Sequence, residues 1–231
     1  MMRLRILRFI LVLFLISPVG FAQKVRTSVA VQQERDSLVQ AKTPLAKRFS
    51  VGVDACGALM AAATSWGQYE AMLRLDFLSP FLPVVEAGLG VSNAKGEDAD
   101  LRFKTRSPYF RLGCDYNFSH RSSYPGRIFA GVRYAFSPFS FDVKATDIVD
   151  PVYGTKQDVW LSGVTSSMHW LELVAGLETR IVGPLSLGWT FRYKFRLAEK
   201  VPHIGHAWYV PGYGRNDSHA MGGTFNVIIA L

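Results

Sequence analysis

The stretch Leu185–Leu197, LSLGWTFRYKFRL, alternates without a break. Leu185, Leu187, Trp189, Phe191, Tyr193, Phe195 and Leu197 share one face. Ser186, Gly188, Thr190, Arg192, Lys194 and Arg196 share the other. A period of two makes this a strand with one apolar and one polar side. At about 3.3 Å per residue it is long for a soluble strand and suits a tilted strand that crosses a bilayer. Trp189 and Tyr193 lie on the apolar side, where an interfacial aromatic belt would place them.

Similar alternation recurs along the chain. Apolar residues hold every second position in 49–61, 69–77, 85–91, 109–118, 127–136, 171–181 and 225–231, which with 185–197 predicts eight strands. The links at 79–83, 119–126 and 182–184 are short, and the links at 93–106, 137–166 and 198–220 are longer; the short link near Trp66-Gly67 breaks this alternation. An even strand count with turns of alternating length predicts an all-β chain. The expected form is an eight-stranded antiparallel up-and-down transmembrane β-barrel with short periplasmic turns and longer extracellular loops. A soluble eight-stranded barrel would turn its apolar face inward, and the charge on the second face of these strands argues against it.

The N-terminus agrees with export. Arg3, Arg5 and Arg8 precede the apolar run Phe9–Ile16, and Gly20-Phe21-Ala22 offers a cleavage site before Gln23. Residues 1–22 therefore read as a signal peptide. Residues 23–47 are polar and read as a periplasmic arm, with a short amphipathic helix as the alternative; the barrel occupies 48–231. The destination is the bacterial outer membrane. Net charge is +8, yet no basic helix, zinc pattern or aromatic-basic motif points to nucleic acid. Outer-membrane lipid and lipopolysaccharide are the expected anionic partners. The two cysteines, Cys56 and Cys114, fall on opposite faces of their strands, too far apart to pair, so two free thiols are expected.

The polar faces carry a near-balanced set of charges. Glu70, Glu86, Asp115, Glu172 and Glu178 stand against Arg74, Arg111, Arg133, Arg192, Lys194 and Arg196, with Asp54, Asp76, Arg127 and Arg180 completing the lists. An eight-stranded barrel is just wide enough for its interior to fill with side chains. Paired carboxylates and guanidiniums would plug it, so a pore is the least favoured function class.

With its signal peptide, eight alternating strands and terminal FNVIIAL, the chain resembles small outer-membrane barrels. The terminal strand resembles the signal read by the barrel-assembly machinery, with Leu231 in place of the usual aromatic. More narrowly, the chain resembles an uncharacterised family of small barrels from the Bacteroides phylum, a domain of unknown function. That resemblance implies fold and location, and suggests an accessory part of a larger outer-membrane complex, such as barrel-assembly or surface-protein machinery.

Two groups of residues invite a reading beyond scaffold. Lipid A deacylase barrels carry Ser, His and Glu on their outer wall. Here Ser167 and His169 share the outward parity, and a hairpin centred on Gly183 would set Ser167 opposite Glu199. The order of Ser and His is reversed from that family. Lipid A palmitoyltransferase barrels hold an apolar acyl pocket, which the charged interior argues against. The last loop gathers His203, His206, Trp208, Tyr209 and Tyr213, and with Trp160 these form a candidate binding surface. The spacing of His203, His206 and His219 fits no metal motif, so neither metal nor cofactor is expected. The leading expectation is a non-enzymatic barrel that binds a protein partner in the outer membrane or a ligand at the cell surface. A hydrolase using Ser167, His169 and Glu199 is the alternative.

Overall fold

The computed structural model describes residues 49–76, 80–95, 101–120, 126–149, 156–203 and 205–231. The signal peptide and the arm lie outside the described residues. In chain order the elements are β1 (Phe49–Asp54), α1 (Ala55–Ala63), β2 (Trp66–Leu75), β3 (Phe81–Lys95), β4 (Arg102–Asn117), β5 (Gly126–Val149), β6 (Lys156–Val182), β7 (Leu185–Lys200), β8 (Tyr209–Val210), β9 (Gly214–Arg215) and β10 (His219–Ala230). Among the described residues eight antiparallel strands close a ring in the order β1-β10-β7-β6-β5-β4-β3-β2, and β8 and β9 pair separately. The ring closes between the first and last strands, from Ser50↔Ala230 to Asp54↔Asn226. The lower end, with the short turns, is sealed by bonds such as Leu231 N–H to Phe49 O at 2.9 Å.

The faces point as the alternation requires. Phe110, Leu112, Val132, Leu173, Leu177 and Phe191 are exposed on the outer wall, while Arg74, Arg111, Arg133, Glu86 and Glu172 are buried inside. An outward apolar band around a charged interior is the pattern of eight-stranded outer-membrane barrels.

Two expectations are corrected. The first strand ends at Asp54, not at 61; residues 55–63 form α1. In ACGALMAAA both parities are apolar, so the apparent alternation carried no directional signal, and its Ala, Leu and Met favour helix. Asp54 caps α1 by accepting the Cys56 N–H at 3.1 Å, a stabilisation of about 1 kcal/mol. It also accepts the Phe225 N–H at 3.2 Å. Pairing between β1 and β2 stops at Val53↔Ala71, and above that level α1 contacts both β2 and β10. A helix thus continues the wall where the first strand ends. Both cysteines are free, although Cys56 sits on this helix rather than on a strand.

α1 is seated closely. A Cβ on Gly67 would collide with the backbone of Ala61. Gly67→Val should therefore displace the helix, at about 1–3 kcal/mol for overpacking. In a Cys114→Ser background, maleimide labelling of Cys56 should accelerate by roughly tenfold; an unchanged rate would show that this contact does not hold α1 in place.

The expected loops at 93–106 and 137–166 are largely strand. β3 and β4 pair up to Lys95↔Arg102, and β5 and β6 continue, through two irregularities, to Val149↔Lys156. The alternation persists there, but the two faces exchange chemistry. In β4 the outward Leu112 and Phe110 give way to exposed Arg106, Lys104 and Arg102, while the inward Asp115 and Arg111 give way to buried Thr105 and Phe103. In β5 the inward Arg133 is followed by buried Phe139 and Phe141, and the outward Tyr134 by exposed Ser140, Asp142 and Lys144. The upper part of the barrel is organised like a water-soluble one.

Candidate functional site

The lumen is built in layers. At the bottom Arg127 Nη1 meets Asp76 Oδ1 at 2.7 Å, and Arg74 is bonded to Glu178. In the middle Arg133 grips Asp115 with both terminal nitrogens, at 2.7 and 2.9 Å, and its Nε lies 3.3 Å from Glu86. Gly131 makes this fork possible, since a Cβ there would strike the Asp115 carboxylate.

Above it two arginines interleave with three glutamates. Arg192 reaches Glu86 at 2.6 Å, Glu70 at 2.9 Å and Glu172 at 3.2 Å. Arg111 is bonded to Glu70, lies 2.9 Å from Glu172 and 3.3 Å from Glu86. Neutral donors fill the remaining acceptor positions: Tyr109 Oη donates to Glu70 at 2.7 Å, and Trp170 Nε1 donates to Glu172 at 2.6 Å. Glu70, Glu86, Asp115 and Glu172 balance Arg111, Arg133, Arg192 and Lys194. Buried charge of this density is tolerable only when paired and hydrogen-bonded.

Over this layer lies a cap. The last loop bends into the mouth of the barrel, burying Ala207, Tyr209, Val210 and Tyr213 against Phe103, Phe139, Phe141, Met168 and Trp170. Each large side chain so buried contributes roughly 1.5–3 kcal/mol. The loop's backbone is tied to the charges beneath it: Arg111 Nη2 donates to Gly212 O at 2.9 Å, and Lys194 Nζ donates to Gly212 O at 2.7 Å and to Tyr213 O at 3.0 Å. The Lys194 ammonium thus serves backbone carbonyls. Burial pushes the Tyr209 hydroxyl up to about 12, so it stays neutral at any physiological pH.

The cap alters the candidate binding surface. Trp160 and Trp208 are 73% and 51% exposed, and His203 and His206 are exposed. Tyr209 and Tyr213 are inside, 8% and 1% exposed, so they belong to the plug and not to an outward face. Arg196 likewise stands apart from the buried network. It sits at the upper rim with Asn216 at 3.0 Å and Glu199 at 3.3 Å.

Ser167, His169 and Glu199 are not brought together. An irregularity at His169/Trp170 shifts the register, so Ser167 pairs with Lys200 and Glu199 faces Met168. His169 Nδ1 lies 2.6 Å from the Tyr134 hydroxyl and its ring stacks on Phe136 at 4.5 Å. Glu199 is held by His206 at 2.9 Å and Asn216 at 2.8 Å. A serine hydrolase needs nucleophile, base and acid in hydrogen-bond sequence, and each of the latter two is committed elsewhere. His219 stacks on Tyr193, away from His206.

The family model described as Domain of unknown function (DUF6048) matches residues 2–230. The chain belongs to this family. No curated protein sequence matches this DUF6048 barrel significantly. Among solved structures it is similar to Neisserial surface protein A, at 12% identity over 79% of this chain and 94% of that one, TM-score 0.41. It is also similar to the N-terminal β-barrel domain of Pseudomonas aeruginosa OprF, at 10% identity over 79% and 96%, TM-score 0.39. A third is a major outer membrane protein from Thermus thermophilus, at 16% identity over 79% and 98%, TM-score 0.46. The charged half of the DUF6048 lumen is legible in the sequence, whereas the roles of Tyr109, Trp170 and the cap emerge in the structure. Their signal was present: Tyr109 and Trp170 share the parity of Arg111 and Glu172.

Proposed function

We propose that this protein is a non-conducting outer-membrane barrel that acts by binding, either as a structural subunit of an envelope complex or as a surface-binding protein. The observation that carries the reading is the double closure of the lumen, by the Glu70–Glu86–Glu172 network and by the cap anchored at Gly212. A barrel that devotes its interior to paired charge offers no path for solute and no acyl pocket. What it can offer is its outside. The β5–β6 hairpin rises above the apolar band and carries Trp160, with Trp208 on the neighbouring loop. Exposed aromatics on a rigid scaffold are characteristic binding anchors.

Planar-bilayer recording tests the closure. The purified protein should give no discrete current steps at neutral pH, and reproducible steps would overturn the reading. Gentle solubilisation of outer membranes tests the binding. A stoichiometric partner should co-purify and be lost from a Trp160→Ala, Trp208→Ala variant, whereas recovery of the barrel alone from intact envelopes and failure of the surface to bind cell-surface ligands would leave the binding role without support.

A further inference from the structure

The level at which inner and outer chemistry exchange is sharply drawn on the outer wall of three adjacent strands. Below it stand Leu112 and Phe110 on β4, Val132 and Tyr134 on β5, and Val85 and Leu89 on β3, all exposed. Above it stand exposed Arg106, Lys104 and Arg102 on β4, with Lys144 on β5 and Lys95 on β3 level with Arg102. The register sets these side by side: Asn93↔Lys104 and Lys95↔Arg102 on one flank, Lys104↔Asp142 and Arg102↔Lys144 on the other. Same-face neighbours along a strand are about 7 Å apart and adjacent strands about 4.8 Å apart, so the cations form a compact ledge. Lys104 and Arg106 hold no ion pair among the described residues. Lys144 is steadied by Trp160, its Nζ 5.2 Å from the ring centroid. The acid within the ledge, Asp142, already accepts the Gly163 N–H at 2.7 Å.

We propose that this ledge docks the phosphate groups of an outer-leaflet glycolipid, with the lipid's acyl chains lying on the apolar wall directly beneath. Both halves of such a ligand are matched by position: chains need the Leu112, Phe110 and Tyr134 surface, and a phosphate at the end of those chains falls at Lys104, Arg106 and Lys144. Arginine and lysine side chains are the chemistry that recognises phosphate. A soluble acidic partner would have no use for the apolar half.

The inference rests on the outer-membrane reading, and the experiment separates the two. Full-length mature protein, folded in detergent and inserted into nanodiscs, is offered bis-phosphorylated lipid A or its dephosphorylated form, and retained lipid is counted by native mass spectrometry. The wild type should retain phosphorylated lipid A at least tenfold better than the Lys104→Ala, Arg106→Ala, Lys144→Ala variant, and the preference should weaken as salt rises. Dephosphorylated lipid A should bind both proteins alike. Arg215→Ala, which removes an exposed cation of the last loop, should leave retention unchanged, and Lys104→Arg should preserve it. Equal retention by wild type and triple variant, or no preference for the phosphorylated form, would overturn the ledge. Failure of the wild type to insert into bilayers would instead overturn the membrane reading.

Discussion

An Arg192→Met barrel is expected to lose about 3–5 kcal/mol of stability, the usual consequence of removing one partner from a buried charge cluster. Arg192 touches Glu86, Glu70 and Glu172, and it is 2% exposed. Methionine fills much of the volume but leaves three carboxylates sharing Arg111 and Arg133, the closest of the remaining contacts to Glu86 being 3.3 Å. Urea titration of the refolded protein, followed by tryptophan fluorescence, reads the loss as a lowered midpoint. Two further variants show that the effect is electrostatic. Adding Glu86→Gln to Arg192→Met removes the most crowded carboxylate and should recover part of the loss, a coupling of about 0.5–3 kcal/mol. Arg192→Lys keeps the charge but not the planar fork that serves three acceptors, and should fall between the two. A Met variant as stable as the wild type would show that the interior needs no specific pairing.

The parts of the fold that were legible in the sequence are those where one physical demand acts alone. Leu185–Leu197 reads correctly because its apolar face meets one environment from end to end. The lumen charges were legible for the same reason: Arg111, Arg133, Glu172 and Arg192 have an unambiguous parity. Residues 55–63 misled because both of their faces are apolar, so a period of two was compatible with the residues without being imposed by them. The upper halves of β4 and β5 were hidden differently. Their alternation is intact, but Phe103, Phe139 and Phe141 face inward, and a search for outward grease passes over them as loop. Recognising that the polarity of a strand can reverse while its period holds would have lengthened both hairpins.

The candidate site divides along the same line. Side chains carried by strands fell where their parity put them. Tyr209 and Tyr213 did not, because a loop has no period, and aromatic residues in a turn-rich segment serve a surface or a plug equally well. The register does not bring Ser167, His169 and Glu199 together. Counting back from Gly183 assumes an even ladder, and the ladder does hold from Arg180↔Ser186 to Trp170↔Arg196, but the irregularity at His169/Trp170 shifts Glu199 by one place and so to the other side of the strand. A single extra residue separates a plausible triad from three unrelated side chains.

The cap supplies the second large effect. Gly212 has a φ of +78° and its missing Cβ faces the Tyr109 ring directly. Valine there meets two costs of the same sign: a left-handed conformation that a β-branched residue rarely tolerates, about 1–3 kcal/mol, and a collision with a ring held by Glu70. Relief requires the loop to leave the mouth, which also deprives Arg111 and Lys194 of their carbonyl acceptors. Gly212→Val should therefore expose the chain around Tyr209 and Tyr213. In proteoliposomes, chymotrypsin that leaves the wild-type loop intact should cut the variant there, with an initial rate raised by roughly a hundredfold if about 3 kcal/mol of local stability is lost. Conductance should nonetheless stay at baseline, because the arginine–glutamate layer beneath still fills the cross-section. A loop that remains protected would show that the Gly212–Tyr109 contact does not hold the cap. A cut loop accompanied by current steps would make the cap the real seal, and the ion pairs beneath it a stabilising layer through which ions can pass.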